Sequence, residues 1–325
     1  MPTLKDWVKV TRIQTAAVTM LALWAGHIVV EPLDLGSTIT LGAVGLTVHI
    51  WGFTLNEIED AEYDELMGRD SGHPIAEGVI EKEEAQVLAW GCGATAILIY
   101  MIAVSSPLGV LALILSFAHG FMYNRRSKKD WYSNAYLSAW VFLIVLAGAL
   151  SAGQFRFPVV IIGAILAIQI FIQVIEGDLK DIEGPEATLA EAFGVTVDEH
   201  TGEMNYSIYF TSALVFWKGI EAVLVYWLIF QSDSFTGITE IFHLGLFILM
   251  AIAFGRTLRG WLVDNMDRDK IKEQSSKHEI VSILFIAVGL LGYDVYGAVL
   301  VGLIPVVWYI GVNSVVHKGR LNPDI

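Results

Sequence analysis

The chain is short of charge and almost without cysteine. One cysteine, Cys92, in 325 residues rules out an internal disulfide. A lone thiol in an apolar run also fits neither a thiolate zinc site nor a redox pair. Only 17% of residues are charged, whereas 55% are hydrophobic and the mean hydropathy is +0.59. A soluble fold would struggle to hide that much apolar surface. Positive charge is scarcer still: 20 Lys and Arg stand against 34 Asp and Glu, for a net charge of −14. That balance argues against nucleic acid as a partner. A cleaved signal peptide is not expected either. No small-residue cleavage site follows the first apolar run, and Leu21 to Val30 continues a full-length span.

What the sequence does have is a series of apolar runs near the ~20 residues that cross a bilayer core. The candidate spans are Thr11–Val30, Thr38–Leu55, Ala85–Val104, Pro107–Met122, Asn134–Ala152, Pro158–Ile175, Tyr206–Phe230, Ile238–Phe254, Glu279–Leu291 and Tyr296–Val315. Read as one helix, the last two would extend about 55 Å, far beyond a core of about 30 Å. Gly292-Tyr293-Asp294 is therefore the expected break, and the ninth span is short. The expected architecture is all-α: a polytopic transmembrane bundle in a single membrane-embedded domain over residues 1–325.

Basic residues orient it. With the N-terminus in the cytoplasm, 18 of the 20 Lys and Arg fall on the cytoplasmic side. The exceptions are Arg156, in a short outer connection, and Lys218, inside a span. Every long polar segment then faces the cytoplasm: 56–84, 123–133, 178–205 and 256–277. The last is basic and amphipathic, and reads as a helix lying on anionic lipid headgroups.

Two acidic motifs leave this side. Six carboxylates fall between Glu57 and Glu65, and Asn56, Asp60 and Asp64 recur every four residues, which stacks them on one helix face. After the sixth span, Asp178 and Asp181 share a face at i,i+3, followed by Glu183, Pro185 and Glu186. The motifs stand four helices apart, each trailed by a loop. This pattern suggests pseudo-repeat halves, about 1–133 and 134–325, facing one cavity. Opposed hard-oxygen clusters bind Mg²⁺ loosely and leave coordination positions for phosphate oxygens. Lys128, Lys129 and Lys180, with Arg125 and Arg126, lie on the same side and could complete an anion site. If the diphosphate carries a prenyl chain, its ionisation gives an allylic cation that needs a dry cavity. Trp51, Phe53, Phe117, Phe121, Tyr123, Trp131, Tyr132 and Tyr136 could stabilise that cation through their ring faces.

These motifs resemble the UbiA superfamily of intramembrane prenyltransferases, in order and spacing over most of the chain. Asn56, Asp60 and Asp64 after the second span, and Asp178 and Asp181 with Thr188-Leu189 after the sixth, carry the likeness. Pro74-Ile75 with Gly78 is similar to the family's loop after the first motif. Tyr123, Lys128, Lys129 and Asn134 resemble its tyrosine–lysine element, and Arg12 stands where the family often has arginine. The resemblance implies nine helices around a central cavity, Mg²⁺ and a polyprenyl diphosphate donor. It makes Asp60, Asp64, Asp178 and Asp181 catalytic, with Asn56 as a further metal ligand. Arg12, His73, Tyr123, Lys128, Lys129 and Lys180 become the diphosphate-binding set. The sequence departs from the family at Glu57, where aspartate is usual, at His73, where arginine is usual, and at Pro185, where the second motif's last aspartate belongs. Glu183 or Glu186 could substitute there.

Membrane lipids surround such a protein, and a lipophilic acceptor captures the cation. An aromatic ring, a quinone precursor, a glycerol phosphate lipid and a polyene all remain open. A terpene cyclase of the same family would need no acceptor. A transporter would need polar residues through the midplane on several helices, whereas most here gather at one surface. Lys218 and Glu221, i,i+3 in the seventh span, are either a structural ion pair or a polar site for the acceptor.

Overall fold

The computed structural model describes residues 2–66, 72–127, 129–179, 182, 188–198, 200–201, 203–232, 238–262 and 268–316. The chain enters through α1 (Leu4–Thr11), a surface helix closed at its start by a capping box between Thr3 and Asp6. A single 3₁₀ turn, Ile13–Thr15, leads into α2 (Ala16–Ile28). There follow α3 (Leu35–Leu66), α4 (Lys82–Ala103), α5 (Pro107–Arg126), α6 (Asn134–Ser151) and α7 (Phe157–Asp178). A short α8 (Leu189–Ala192) and a two-stranded antiparallel hairpin, β1 (Thr196–Val197) with β2 (Met204–Asn205), come next. The chain ends in α9 (Ile208–Phe230), α10 (Ile238–Leu262), α11 (Arg268–Leu290) and α12 (Val295–Val316).

Eight described helices are long and apolar enough to cross a membrane, and Ile13–Ile28 is a shorter apolar one. Their outward faces confirm the solvent they are built for. Val87, Ile102, Leu108, Phe216, Ile241, Phe242 and Val307 are all exposed, an arrangement stable only against lipid. Each expected span overlaps a helix, the first being divided by the bend at Arg12 and the 3₁₀ turn, and the break at Gly292–Asp294 falls between α11 and α12. Asp294 accepts hydrogen bonds from the backbone of Tyr296 (3.1 Å) and Gly297 (2.9 Å), starting α12. It also accepts from Leu33 N at 3.0 Å, which ties that turn to the α2–α3 connection.

Two expectations need correction. The helix carrying the ninth span is longer than that span: α11 runs unbroken from Arg268 to Leu290, so its charged first half and short apolar second half are one rod. The segment 256–277 is accordingly not a surface helix of its own. Its first residues end α10, its last ones begin α11, and these two helices pack against each other. Likewise, α3 continues eleven residues past Leu55 to Leu66. At 1.5 Å per residue the 32-residue α3 is about 48 Å long, longer than a hydrocarbon core of about 30 Å. The first acidic motif is therefore carried on helix throughout, as its four-residue spacing requires.

α2 packs against α3, α6 and α12, so the last helix closes on the first long ones. The α2–α6 approach depends on two glycines. A Cβ on Gly26 would stand 2.0 Å from the carbonyl oxygen of Val145, and one on Gly148 would stand 2.1 Å from that of Leu23. The backbones touch, as small-residue contacts permit in membranes.

Candidate active site

A cavity of about 390 Å³ opens among α2, α3, α5, α6, α7, α11 and α12. One end carries Arg12, Asn56, Tyr123 and Leu179; its wall is largely aliphatic and aromatic, with Trp51, Phe53, Trp140 and Tyr309. Met204, on β2, also lines it, so the hairpin after α8 covers part of the cavity. Thr188 caps α8 by accepting from Glu191 N at 3.2 Å, and Leu189 beside it is 4% exposed. The Thr188-Leu189 pair is thus the anchor of this cover.

Asn56, Asp60 and Asp64 follow one another at one-turn intervals on α3, as the spacing requires. Asp60 and Asp64 are both 8% exposed. Asn56 faces the cavity, and the carboxylates continue the row beyond it. Glu57, on the adjacent strip of α3, is a junction. Its Oε1 accepts from Arg12 Nη2 (2.5 Å) and Nε (3.0 Å), and its Oε2 lies 3.4 Å from His73 Nδ1. His73 Nδ1 is also 3.5 Å from Asp64 Oδ2. The bond to Glu57, helped by the charge of Asp64, raises the His73 pKa against the opposing effect of burial. That favours the imidazolium.

Local structure explains how these groups meet. Arg12 sits in the left-handed region (φ 43°) between α1 and the 3₁₀ turn, a bend that turns its side chain toward α3. His49, buried on α3, bonds the Arg12 carbonyl (3.0 Å) and Thr19 Oγ1 (3.1 Å), which fixes the bend. His73 opens a tight turn in which Val79 N and Ile80 N both bond the Pro74 carbonyl, at 2.9 and 3.1 Å. Gly78 takes φ 68° there, a conformation that costs glycine little. Ile75 and Ile80 are buried against Leu55, Ile58 and Ala61 of α3, and Lys9 Nζ holds the Gly72 carbonyl at 3.2 Å.

Other expected residues are distributed differently. Tyr123 lines the cavity beside Asn124, whose Nδ2 donates to the Gly52 carbonyl at 3.0 Å and joins α5 to α3. Asn134 is buried at the start of α6. Lys129 is exposed and outside the cavity lining. Arg126 pairs with Asp130 at 3.0 Å. Of the aromatics, Trp51, Phe53 and Tyr123 reach the cavity, while Phe117 packs on Trp51 at 4.5 Å between ring centres. Lys128, Lys180, Asp181, Glu183, Pro185, Glu186 and the side chains of Asp178 and Trp131 lie outside the described residues.

Sequence reasoning missed Gln14, Trp140, Gln169, Gln173, Glu279 and Tyr309, all on the cavity wall. Gln169 and Gln173 did carry a signal: two amides one turn apart in an otherwise apolar span are costly unless they serve a cavity. Lys218 and Glu221 form an ion pair at 2.9 Å with both side chains fully buried. The pair stands behind the wall. Lys218 Nζ also donates to Gln169 Oε1 at 2.5 Å and lies 5.3 Å from the Phe254 ring centre.

Among the described residues, no three His, Cys, Asp or Glu side chains converge on one point. The first motif nevertheless supplies one amide and two carboxylates in a row at the cavity's polar end. That hard-oxygen donor set fits an open Mg²⁺ site completed by phosphate oxygens or water.

The chain is thus a bundle of apolar helices around an apolar cavity, with an acidic row and an arginine at one end. The UbiA prenyltransferase family model matches residues 15–273, and the chain belongs to that family. Comparison with curated proteins gave no significant match. Several solved structures share the fold. A digeranylgeranylglyceryl phosphate synthase is 16% identical, covering 89% of this chain and 98% of its own, with TM-score 0.64. A UbiA homologue from Aeropyrum pernix K1 is 17% identical, covering 86% and 98%, with TM-score 0.62. One from Archaeoglobus fulgidus, bound to GPP and Mg²⁺, is 15% identical, covering 89% and 99%, with TM-score 0.65.

Proposed function

We propose that the protein transfers a prenyl group from a polyprenyl diphosphate to a lipophilic acceptor within the membrane, with Mg²⁺ as cofactor. Family membership supports prenyl transfer as the class of activity, and the A. fulgidus homologue's GPP and Mg²⁺ support the donor and the metal. The observation that carries the reading is the row Asn56, Asp60, Asp64 at the polar end of an aromatic-lined cavity. Asn56, Asp60 and Asp64 would hold the metal, with Asp178 and Asp181 as the second set. Bound Mg²⁺ neutralises the diphosphate and makes it a better leaving group.

The chain's own residues do the rest. Arg12 faces the diphosphate, and Glu57 orients its guanidinium through two hydrogen bonds. His73, whose charged form Glu57 favours, could add to the anion site when protonated; Tyr123 lines the same end. Lys128, Lys129 and Lys180 are candidates from the neighbouring loops. The allylic C–O bond breaks with its electron pair leaving on the diphosphate oxygen. Trp51, Phe53 and Trp140 exclude water from the cation and offer it ring faces. The acceptor's electron pair forms the new bond, and the acceptor then loses a proton. The two acidic motifs act as the ends of two pseudo-repeat halves, and the basic-rich end faces the cytoplasm.

Asp60→Ala and Asp64→Ala test the reading. Each should lower Mg²⁺-dependent diphosphate release from a prenyl diphosphate in membranes by about 100-fold or more, the scale of losing a group that stabilises developing charge. Undiminished release in both variants would overturn the assignment. Hydrocarbon or alcohol products from the donor alone would favour the cyclase.

A further inference from the structure

A lysine–glutamate pair sealed inside a membrane bundle is expensive, because both ions lose water and lipid returns nothing. Here the pair has a third member. Lys218 Nζ contacts Glu221 Oε2 at 2.9 Å and Gln169 Oε1 at 2.5 Å. An ammonium has only protons to give, so the Gln169 atom it meets is the oxygen. The amide NH₂ of Gln169 is then the remaining end, and Gln169 belongs to the cavity wall. Gln173, one turn nearer the acidic end of α7, lines the same wall. Gln14 and Trp140, also in the wall, each have a buried polar atom, Oε1 and Nε1, with no hydrogen-bond partner among the described residues.

The cavity wall therefore has hydrogen-bonding capacity, and its one carboxylate on α11, Glu279, would repel an anionic acceptor. Arg12 is the one basic residue among those lining it, and it is paired to Glu57. Lys218 is fully buried and neutralised by Glu221. Amide and indole donors in an apolar wall satisfy a neutral oxygen, whereas a buried carboxylate or phosphate would need a cation of its own. We propose that Gln169, oriented by Lys218, binds the oxygen of an uncharged acceptor of the phenol, quinol or alcohol class. Lys218 and Glu221 are positioning residues for that contact. The inference rests on the proposed prenyl transfer and specifies its acceptor.

The test uses full-length protein in membranes with GPP and Mg²⁺. Two phenols that differ in bearing a para hydroxyl or a para carboxylate, hydroquinone and 4-hydroxybenzoate, are compared with an oxygen-free polyene, lycopene. Prenylated products are measured by mass spectrometry, and KM is determined for acceptor and for GPP separately. Hydroquinone should be preferred over both others by about ten-fold or more in kcat/KM, the range that an unmet buried hydrogen bond produces. Gln169→Leu should erase most of that preference by raising the hydroquinone KM. Lys218→Met/Glu221→Leu, which removes the ions without stranding either, should raise it in the same way. A purely structural pair would change stability without moving the ratio between acceptor and GPP KM. Preference for 4-hydroxybenzoate or lycopene, or an unchanged acceptor KM in Gln169→Leu, would overturn the inference while prenyl transfer stands. Turnover of GPP with no acceptor prenylated also overturns it. Absence of any Mg²⁺-dependent GPP turnover in the wild type removes the proposed function and this inference together.

Discussion

Replacing Lys218 by methionine should destabilise the protein far more than its loss of one hydrogen bond suggests. The ammonium is 0% exposed, as is the Glu221 carboxylate it meets at 2.9 Å. Glu221 Oε1 already has no hydrogen-bond partner among the described residues, so the variant leaves a buried carboxylate with neither of its oxygens met by Lys218. Breaking one side of a buried pair costs about 3–5 kcal/mol. Loss of the donor to Gln169 Oε1 adds about 1 kcal/mol. Glu221→Leu strands the ammonium instead and should cost about 3–5 kcal/mol by the same reasoning. Lys218→Met/Glu221→Leu removes both charges into packing space already lined by Phe254. Replacing a whole buried pair by apolar groups is often neutral or stabilising, so the double variant should fall within about 1 kcal/mol of wild type. The assay is reversible unfolding of the detergent-solubilised protein, with the coupling energy taken from the cycle. Additive losses in the double variant, or a Lys218→Met cost below about 1 kcal/mol, would refute the reasoning.

Other positions give sharper tests of particular contacts. Gly26→Ala puts a methyl 2.0 Å from the Val145 carbonyl oxygen; a backbone neighbour cannot rotate away, so unfolding should show a loss of about 3 kcal/mol. Asp294→Ala removes the acceptor for Leu33 N, Tyr296 N and Gly297 N and should cost about 1–2 kcal/mol by the same assay. Glu57→Gln keeps the size but removes the charge facing Arg12 and His73. It should weaken Mg²⁺-dependent turnover of GPP by about ten-fold, chiefly in KM, and a wild-type KM would show that Glu57 does not organise the diphosphate end.

Much of this architecture was readable because lipid imposes a simple grammar. Apolar length gave the helices, and the Gly292–Asp294 interruption gave the turn before α12. The four-residue recurrence of Asn56, Asp60 and Asp64 gave the acidic row. What composition could not give was where a polar segment stops being a loop. Glu57 to Leu66 and Arg268 to Lys277 are rich in charge, yet both continue helices, because a helix satisfies its own backbone on either side of the membrane boundary. Cavity residues were harder to foresee. Gln14, Gln169 and Trp140 become wall residues through the convergence of the 3₁₀ turn before α2 with α7 and α6, which no single segment encodes. Lys218 was visible as an anomaly in its span, but its link to Gln169 crosses from α9 to α7.

Glu57 and His73, the two positions where the sequence resemblance leads to an expectation of aspartate and arginine, lie in contact. Glu57 Oε2 is 3.4 Å from His73 Nδ1 while Oε1 keeps Arg12 at 2.5 Å. The extra methylene of glutamate lets one carboxylate on α3 serve groups arriving from two separate segments, the bend before α2 and the turn after α3. Histidine is shorter than arginine and titrates, and the same carboxylate favours its charged form. Glu57 thus orients Arg12 and His73 beside the acidic row. Replacing either Glu57 or His73 by an uncharged residue would remove their contact, though with His73 replaced Glu57 would keep Arg12.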